Sequence, residues 1–467
     1  MIWKYPIYRF VINHELDDKE EETFKEIHID VTNSAPSFDT PSREMSDVMD
    51  KVISYFHIKK PLILDFGAGK LRNTLYLLEK GYDVRAVEFE KISRETEQAK
   101  KLYEKADEYE KQFKKLVFPH DFFNSQEKFD LILLINVCSV MPVPSERFLV
   151  IQYCREKLKE NGYVLWYSIH RDQYNLKKST PDVRMGDGYY FNKTRAYQTF
   201  YRDYDYHEID SLFYSNGFRE EKEKYFVPHN IVKLFRRVGK SPITTNILNA
   251  ELIRQYVVGD QELKIKKRAG INILKGDQTV LCDPNPTILR EEQIYVNALE
   301  QMPTSSDYAT EYHNLITAIL MKLFIPPLKN PKIEFPVNEG DQRIDIIMTN
   351  SANAGFFNDI IHKNDIRAPY VIIECKNYED NIGNPELSQI TDRFNPTRGH
   401  FGFLIYRKSK KEQEFFQKCI NRRSSDRCII PLNDKDIIKM LTMKLYNENI
   451  DDFLSDKLQL LDFGNSE

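Results

Sequence analysis

The chain has 467 residues, 41% hydrophobic and 30% charged, the balance of a soluble folded polypeptide of two or three domains at roughly 150 residues each. A net charge of −4 excludes a global polycation, so any nucleic-acid surface has to be local. The cysteines Cys138, Cys154, Cys282, Cys375, Cys419 and Cys428 are scattered without zinc spacing, and no apolar run reaches the ~20 residues of a membrane span. A cytoplasmic protein without disulfides or a membrane partner is expected.

Residues 1–45 form an appendage in which Ile7–Ile12 and Glu26–Val31 can pair as strands around the acidic run Glu15 to Glu22, a solvated loop. Ser34–Ser42, with Pro36 and Pro41, is expected to be a loop able to lie over a pocket. A helix over Ser46–Phe56 leads into the first informative stretch. There an apolar strand, Pro61-Leu62-Ile63-Leu64-Asp65, runs into Phe66-Gly67-Ala68-Gly69. A helix from about Leu71 to Glu79 stops at Gly81, and a second strand, Asp83–Val87, ends on Glu88. This is one βαβ unit, its glycines allowing a ligand close to the backbone near a helix N-terminus.

Asp65 before the Gly-x-Gly turn and Glu88 after it resemble the class I S-adenosylmethionine-dependent methyltransferases, and the Arg72–Leu77 continuation resembles their small-molecule branch. The third glycine of the dinucleotide fingerprint is missing, which argues against NAD. The resemblance implies a Rossmann-like doubly wound domain over 46–235 that binds S-adenosylmethionine through Asp65, Gly67, Gly69, Glu88, Asp121 and Asn136. Of these, Glu88 would receive the ribose hydroxyls and Asp121, in His120-Asp121-Phe122-Phe123, would meet the adenine.

The remaining order fits such a domain. A charged amphipathic helix is expected over Ile92–Leu116, its inner side including Tyr103 and Phe113. Phe129–Asn136 reads as the fourth strand, Ser145–Lys159 as a helix, Tyr163–Ile169 as the fifth strand, Glu208–Asn216 as the last helix and Glu223–Val227 as the final strand. The β-then-α rhythm implies a parallel sheet covered on both faces. Asn136-Val137-Cys138-Ser139 carries neither the Asn/Asp-Pro-Pro-aromatic loop of DNA amino-methyltransferases nor a Pro-Cys nucleophile. Cys138 therefore reads as a buried thiol. Aromatics and cations alternate over Tyr189 to Tyr206, where they can stack bases, line an acceptor pocket or pack a lid. Residues 236–300 read as a linker or bridging module with a basic patch at Lys264–Arg268.

In residues 301–467 three segments hold the chemistry. Glu311 sits in an amphipathic helix, Asp345 in the apolar strand Arg343–Met348, and Glu374 and Lys376 at the end of the buried strand Tyr370–Lys376. Residues i and i+2 share a strand face, so Glu374 and Lys376 leave the apolar layer side by side. Carboxylates so placed suit a hard cation such as Mg²⁺ or Mn²⁺, and a lysine beside them can orient water or steady a phosphate. The plain alternative is two solvated strand ends with a weak ion pair. Asp345 followed by Glu374-Cys375-Lys376 resembles the PD-(D/E)XK nucleases, an α/β restriction-endonuclease-like fold, although Ile344 stands where many members have proline. That resemblance implies Asp345, Glu374 and Glu311 as metal ligands, Lys376 as the water-positioning cation and Gln389 as a helper on the next helix.

From 391 to 430 ten Lys/Arg face four Asp/Glu, so Arg393, Arg407, Lys408 and Arg422 are candidate phosphate contacts, or else part of a solvated basic helix. The chain thus reads as a methyltransferase-like domain joined to a Mg²⁺-dependent endonuclease for nucleic acid, with DNA foremost, in defence against foreign DNA. The rivals are a methyltransferase served by a non-cleaving nucleic-acid-binding module, and a cofactor-sensing subunit of a defence complex or homo-oligomer.

Overall fold

Apolar runs with the burial of central strands become two separate sheets. The computed structural model describes residues 7–14, 23–34, 40–56, 60–90, 92, 96–170, 183–185, 188–191, 199–244, 280–282, 291–337, 342–378, 382–446 and 448–464. The chain divides into two units, the first made of residues 1–209, 218–238 and 244–290, the second of 210–217, 239–243 and 291–467. The basic patch at Lys264–Arg268 and most of the loop Ser34–Ser42 lie outside the described residues.

In the first unit β1 (Ile7–His14) and β2 (Thr23–Asp30) pair antiparallel as expected. The main sheet comprises β3 (Leu62–Phe66), β4 (Asp83–Phe89), β5 (Phe113–Phe118), β6 (Phe129–Ile135) and β7 (Leu158–Ile169). A small antiparallel sheet of β8 (Val183–Met185), β9 (Gly188–Phe191) and β10 (Thr199–Tyr201) stands apart from it, and β11 (Phe218–Glu220) and β12 (Asn230–Arg237) complete the main sheet. Its order is β11-β12-β7-β6-β3-β4-β5. From β3 the chain winds one way to β4 and β5 and the other way to β6 and β7, all parallel. This is a doubly wound Rossmann-like sheet whose order reverses beside β3, where such folds open a crevice. One face is filled by the helix Arg43–Tyr55, whose Met45, Val48, Met49, Val52 and Ile53 are buried at helical spacing and whose start is capped by the Ser42 hydroxyl.

Two expectations change. Of the stretch 92–116 expected as one helix, Glu97–Asp107 is helical, capped by Thr96. Glu110 then turns to a positive φ, and the aromatic, apolar run from Phe113 becomes β5, pairing with the exposed edge of β4. Pairing satisfies the backbone of that edge, and this outweighs the helical spacing of the apolar residues. Nor is the sheet wholly parallel. The final strand is not Glu223–Val227 but β12, inserted antiparallel between β7 and β11. Being flanked on both sides, β12 is buried along most of its length, so it lacks the alternation that marks an edge strand. Arg236 and Arg237, read as the start of a linker, belong to it.

β13 (Val280–Cys282) pairs with β1. In the second unit the helix Glu291–Gln301, inside the stretch read as a linker, precedes the helix Ala309–Phe324. Then come β14 (Leu328–Val337), β15 (Gln342–Asn350), β16 (Tyr370–Lys376), β17 (Phe401–Tyr406) and β18 (Cys428–Asn433), which lie side by side in that order. The first three form an antiparallel meander, and β16, β17 and β18 run parallel, joined through the helices Asn384–Arg393 and Glu412–Arg422. Leu315, Ile319, Ile346, Ile373, Phe403, Ile430 and Leu441 are completely buried around this sheet. Among the described residues no helix is long and apolar enough to cross a membrane.

Gly402 is needed where β17 crosses β16, because a Cβ there would lie 2.3 Å from the Ile372 carbonyl oxygen and 3.0 Å from Ile390 Cδ1. Gly402→Ala should destabilise the second unit by about 1–3 kcal/mol, the usual cost of overpacking. A denaturant titration showing an unshifted midpoint would contradict that reading.

Candidate functional sites

The first site lies at the C-terminal edge of β3, β4 and β6. Asp65 is 1% exposed, and its Oδ2 accepts a hydrogen bond from the Thr74 hydroxyl at 2.7 Å. Glu88, at the end of β4, spends both carboxylate oxygens on backbone: Oε2 accepts from Gly69 N–H and Oε1 from Phe89 N–H, each at 2.8 Å. Glu88 thus fastens the glycine turn. Tyr103 fastens its other side by donating its hydroxyl to the Gly69 carbonyl at 3.0 Å. Gly67 and Gly69 both have positive φ, and a Cβ on Gly67 would meet Val137 Cγ2 at 2.8 Å, so the turn is a cradle that larger residues would fill.

Burial lifts Asp65 to about 6 and Glu88 to about 7, against the help of their hydrogen bonds. The half-buried Arg72 guanidinium faces Asp65 and Tyr167. Asn136 holds a left-handed backbone at the end of β6 and donates its N–H to the Tyr167 carbonyl at 2.8 Å. Its Oδ1 is buried without a partner, as is Oδ1 of Asn73 in the helix that follows the glycine turn. Two orphaned acceptors and a glycine cradle at a strand-order reversal suit a polar nucleoside-like ligand. Asp121 sits in the short helix His120–Asn124. There Val117 N–H donates to Oδ2, and the contact with His120 holds the carboxyl below its usual range.

Sequence reasoning named Asn136 but missed Thr74, Tyr103 and Asn73 as members of this site. A hydroxyl one turn into the helix after the glycines was the available signal for Thr74. Tyr103 was legible only as a buried aromatic. Cys138 is buried, and burial pushes its thiol up to about 12, as an inert thiol requires. Beside it the Tyr204 hydroxyl donates to the Cys138 carbonyl at 3.3 Å. The next two residues, Asp205 and Tyr206, flank His170 at the end of β7: Asp205 Oδ1 is 3.8 Å from His170 Nε2, and the half-exposed Tyr206 ring lies 5.2 Å from the imidazole.

The second site lies where β15 and β16 face each other. Ile346 pairs with Ile373, which sets Asp345 opposite Glu374. Asp345 Oδ2 accepts the Cys375 N–H at 2.8 Å and lies 3.7 Å from His313 Nε2. Glu374 is 0% exposed, and neither of its oxygens accepts a hydrogen bond. Lys376 Nζ lies 3.5 Å from Oε2 and donates to Gln389 Oε1 at 2.8 Å, while Arg393 Nε lies 3.6 Å from Oε1. Burial and the neighbouring Asp345 push Glu374 up, opposed by Lys376 and Arg393. Asp345, Glu374, Lys376 and Gln389 therefore lie together, Glu374 and Lys376 by strand alternation and the other two as the resemblance implied.

Other expected members do not join them. Glu311 is two residues from His313, about 200° around the helix, and its Oε1 accepts from Lys240 N–H at 3.1 Å instead. Arg407 is no surface cation, for it is buried and donates to the carbonyls of Met302 and Leu299, to Asn377 and to Asp434. Arg393 is likewise buried, Arg422 donates to the Ser388 hydroxyl at 3.0 Å, and Lys408 is exposed. Among the described residues no three His, Cys, Asp or Glu side chains converge as a metal cage. The two carboxylates alone still suit an ion such as Mg²⁺ that keeps several of its waters, and the orphaned Glu374 oxygens are the donors such an ion takes.

Residues 37–209 match the family model of the tellurite resistance protein TehB. No curated protein matches the chain. Among solved structures it is similar to the Burkholderia thailandensis 1,6-didemethyltoxoflavin-N1-methyltransferase, solved with 1,6-didemethyltoxoflavin and S-adenosylhomocysteine, at 20% identity over 42% of this chain and 78% of that one (TM-score 0.31). It is similar also to the CcbJ methyltransferase from Streptomyces caelestis, at 14% identity over 45% and 96% of the two chains (TM-score 0.33). A third is an S-adenosylmethionine-dependent methyltransferase from Clostridium acetobutylicum, at 15% identity over 43% and 94% (TM-score 0.32). The N-terminal part has a Rossmann-like α/β fold, a doubly wound sheet with its order reversed beside β3.

The raised carboxyls make stability depend on pH in a stated direction. Glu88 titrates near 7 when folded and near 4.5 otherwise, so between those values the folded chain holds more protons and loses stability as pH rises. Glu88→Gln cannot ionise. Its fall in melting temperature from pH 5 to pH 8 should be smaller than that of the unaltered protein. Equal falls, measured by differential scanning calorimetry, would show that Glu88 is not held up by burial.

Proposed function

We propose that the first unit binds S-adenosylmethionine and transfers its methyl group to a small protic acceptor. The observation that carries this reading is the Gly67–Gly69 turn clamped between Glu88 and Tyr103 at the reversal point of the sheet, with Asp65 before it held by the Thr74 hydroxyl. The match of residues 37–209 to the TehB family model supports it. Glu88 has lone pairs left for ribose hydroxyls, and the carbonyls of Asn73 and Asn136 are acceptors awaiting donors. S-adenosylmethionine would supply an electrophilic methyl on a sulfonium. The chain's own task is then to align the acceptor and relieve it of a proton. In this reading His170, beside Asp205 and the Tyr206 ring, stands at the acceptor's side of the strand ends. The absence of the base-holding loop after Asn136 favours a small acceptor over a flipped base.

A second reading concerns the other unit, on the observation that Asp345, Glu374, Lys376 and Gln389 converge. It is a divalent-metal-dependent hydrolase of phosphodiester bonds in nucleic acid, with DNA as substrate and foreign DNA as target. A helix, an antiparallel meander, a helix and a parallel strand, in that order, support a restriction-endonuclease-like core. Asp345 and Glu374 would hold Mg²⁺ or Mn²⁺, and Lys376, fixed by Gln389, would orient the attacking water.

Two measurements test the pair. Isothermal titration with S-adenosylhomocysteine should give a Kd at least about tenfold weaker for Glu88→Ala, since the variant loses both the ribose acceptor and the clamp on Gly69. An unchanged Kd rejects the first reading. Incubated with plasmid and Mg²⁺, Glu374→Ala and Lys376→Ala should cut at least about a hundredfold more slowly than the unaltered chain. DNA binding without any metal-dependent breakage would instead favour a non-cleaving module.

A further inference from the structure

Lys376 and Arg393, the two cations of the second site, face the oxygens of Glu374 at 3.5 Å and 3.6 Å. Asp345 is met differently. Its Oδ2 accepts the Cys375 N–H at 2.8 Å and lies 3.7 Å from His313 Nε2. His313 belongs to the helix Ala309–Phe324, which buries Tyr312, Leu315, Ile316 and Ile319, and its carbonyl accepts the Thr317 hydroxyl at 2.6 Å. That packing turns the imidazole, and not the acid of Glu311, toward Asp345. The His313 and Asp345 side chains are 15% and 17% exposed, enough to admit an ion with part of its water shell. Glu374 faces Asp345 from the other side, 0% exposed and with neither oxygen accepting a hydrogen bond.

We propose that His313 is a ligand to the divalent ion of this pocket, shared with Asp345, and that its nitrogen makes the site prefer a first-row transition ion to Mg²⁺. This rests on the second reading above. A separation of 3.7 Å is too long for a hydrogen bond. It suits two donors of one ion: held about 2.1 Å from each, the ion would see them about 120° apart. Mg²⁺ demands near-ideal octahedral angles and oxygen ligands, whereas imidazole nitrogen favours transition ions and tolerates a wider geometry. A neutral imidazole also offers a lone pair and no charge, so the ion meets no repulsion there like that of the two cations before Glu374. Among the described residues His313, Asp345 and Glu374 do not close into a cage. The rest of the ion's shell is thus left to water and to the substrate's oxygens, as a hydrolytic site requires.

The test is isothermal titration of MnCl₂ and of MgCl₂ into the full chain and its His313→Gln and Asp345→Asn variants, with the electron spin-echo modulation of bound Mn²⁺ recorded for each. The unaltered chain should bind Mn²⁺ at least about tenfold tighter than Mg²⁺ and show modulation from a coordinated nitrogen. His313→Gln should lose that modulation and about tenfold in Mn²⁺ affinity, while its Mg²⁺ affinity stays within about threefold. Asp345→Asn should lose both ions. An unchanged Mn²⁺ affinity in His313→Gln, an equal loss for the two ions, or Mn²⁺ bound to the unaltered chain without nitrogen modulation overturns the proposal and leaves the metal reading intact. In the first case His313 is only an ion-pair partner of Asp345. Full Mn²⁺ binding by Asp345→Asn, or none by the unaltered chain, removes the metal reading and the proposal with it. Melting in EDTA checks that each variant folds, and if His313→Gln does not, the modulation of the unaltered chain decides.

Discussion

A carboxylate carried to a strand end and kept out of water is the constraint on which both sites depend. Removing a carboxylate from water costs several kcal/mol unless donors or opposite charges replace the lost hydration. Asp65, Glu88 and Glu374 all bear that cost, and the surrounding structure is arranged around how it is offset. The main-chain turn at Gly67–Gly69 is one such offset. It presents its N–H to Glu88, so the geometry of the glycine cradle and the ionisation of the acid are a single property.

The means of compensation separates the two sites. Glu88 is met by backbone dipoles alone, and Asp65 by the Thr74 hydroxyl with the Arg72 guanidinium facing it. Such carboxylates retain lone pairs for further neutral donors, as on a ribose. Glu374 is met by an ammonium and a guanidinium and by no hydrogen bond. An acid held only by ions is easily transferred to another ion, because exchanging one cation for another leaves its desolvation unchanged. The first arrangement suits a polar organic ligand, and the second a metal.

The βαβ unit around Gly67 was legible in the sequence because every signal there is local: an apolar strand, glycines demanding positive φ, a helix stop at Gly81 and an acid on the next strand. The shared face of Glu374 and Lys376 was legible for a similar reason, since strand alternation alone sets it, whereas Asp345 was joined to them through the family resemblance. What escaped was set by distant partners. Phe113–Phe118 becomes a strand because β4 offers an open edge, and β12 hides its periodicity because neighbours cover both of its sides. Glu311 and His313 share one helix, and only the packing of that helix decides which of them reaches Asp345.

The basic stretch from 391 to 430 shows why counting charges along a chain overstates a phosphate-binding surface. Arg407 binds carbonyls and Asp434 in the interior, Arg393 faces Glu374, and Arg422 is engaged with Ser388. A guanidinium with five fixed donors is suited to such multiple internal bonds, and its weak hydration makes burial cheaper than for lysine. Arginines near the end of a buried strand are therefore drawn inward first, toward unpaired carbonyls and carboxylates. Lys408, by contrast, is exposed. Burial, rather than the number of positive residues along the chain, thus decides which of these side chains meets solvent.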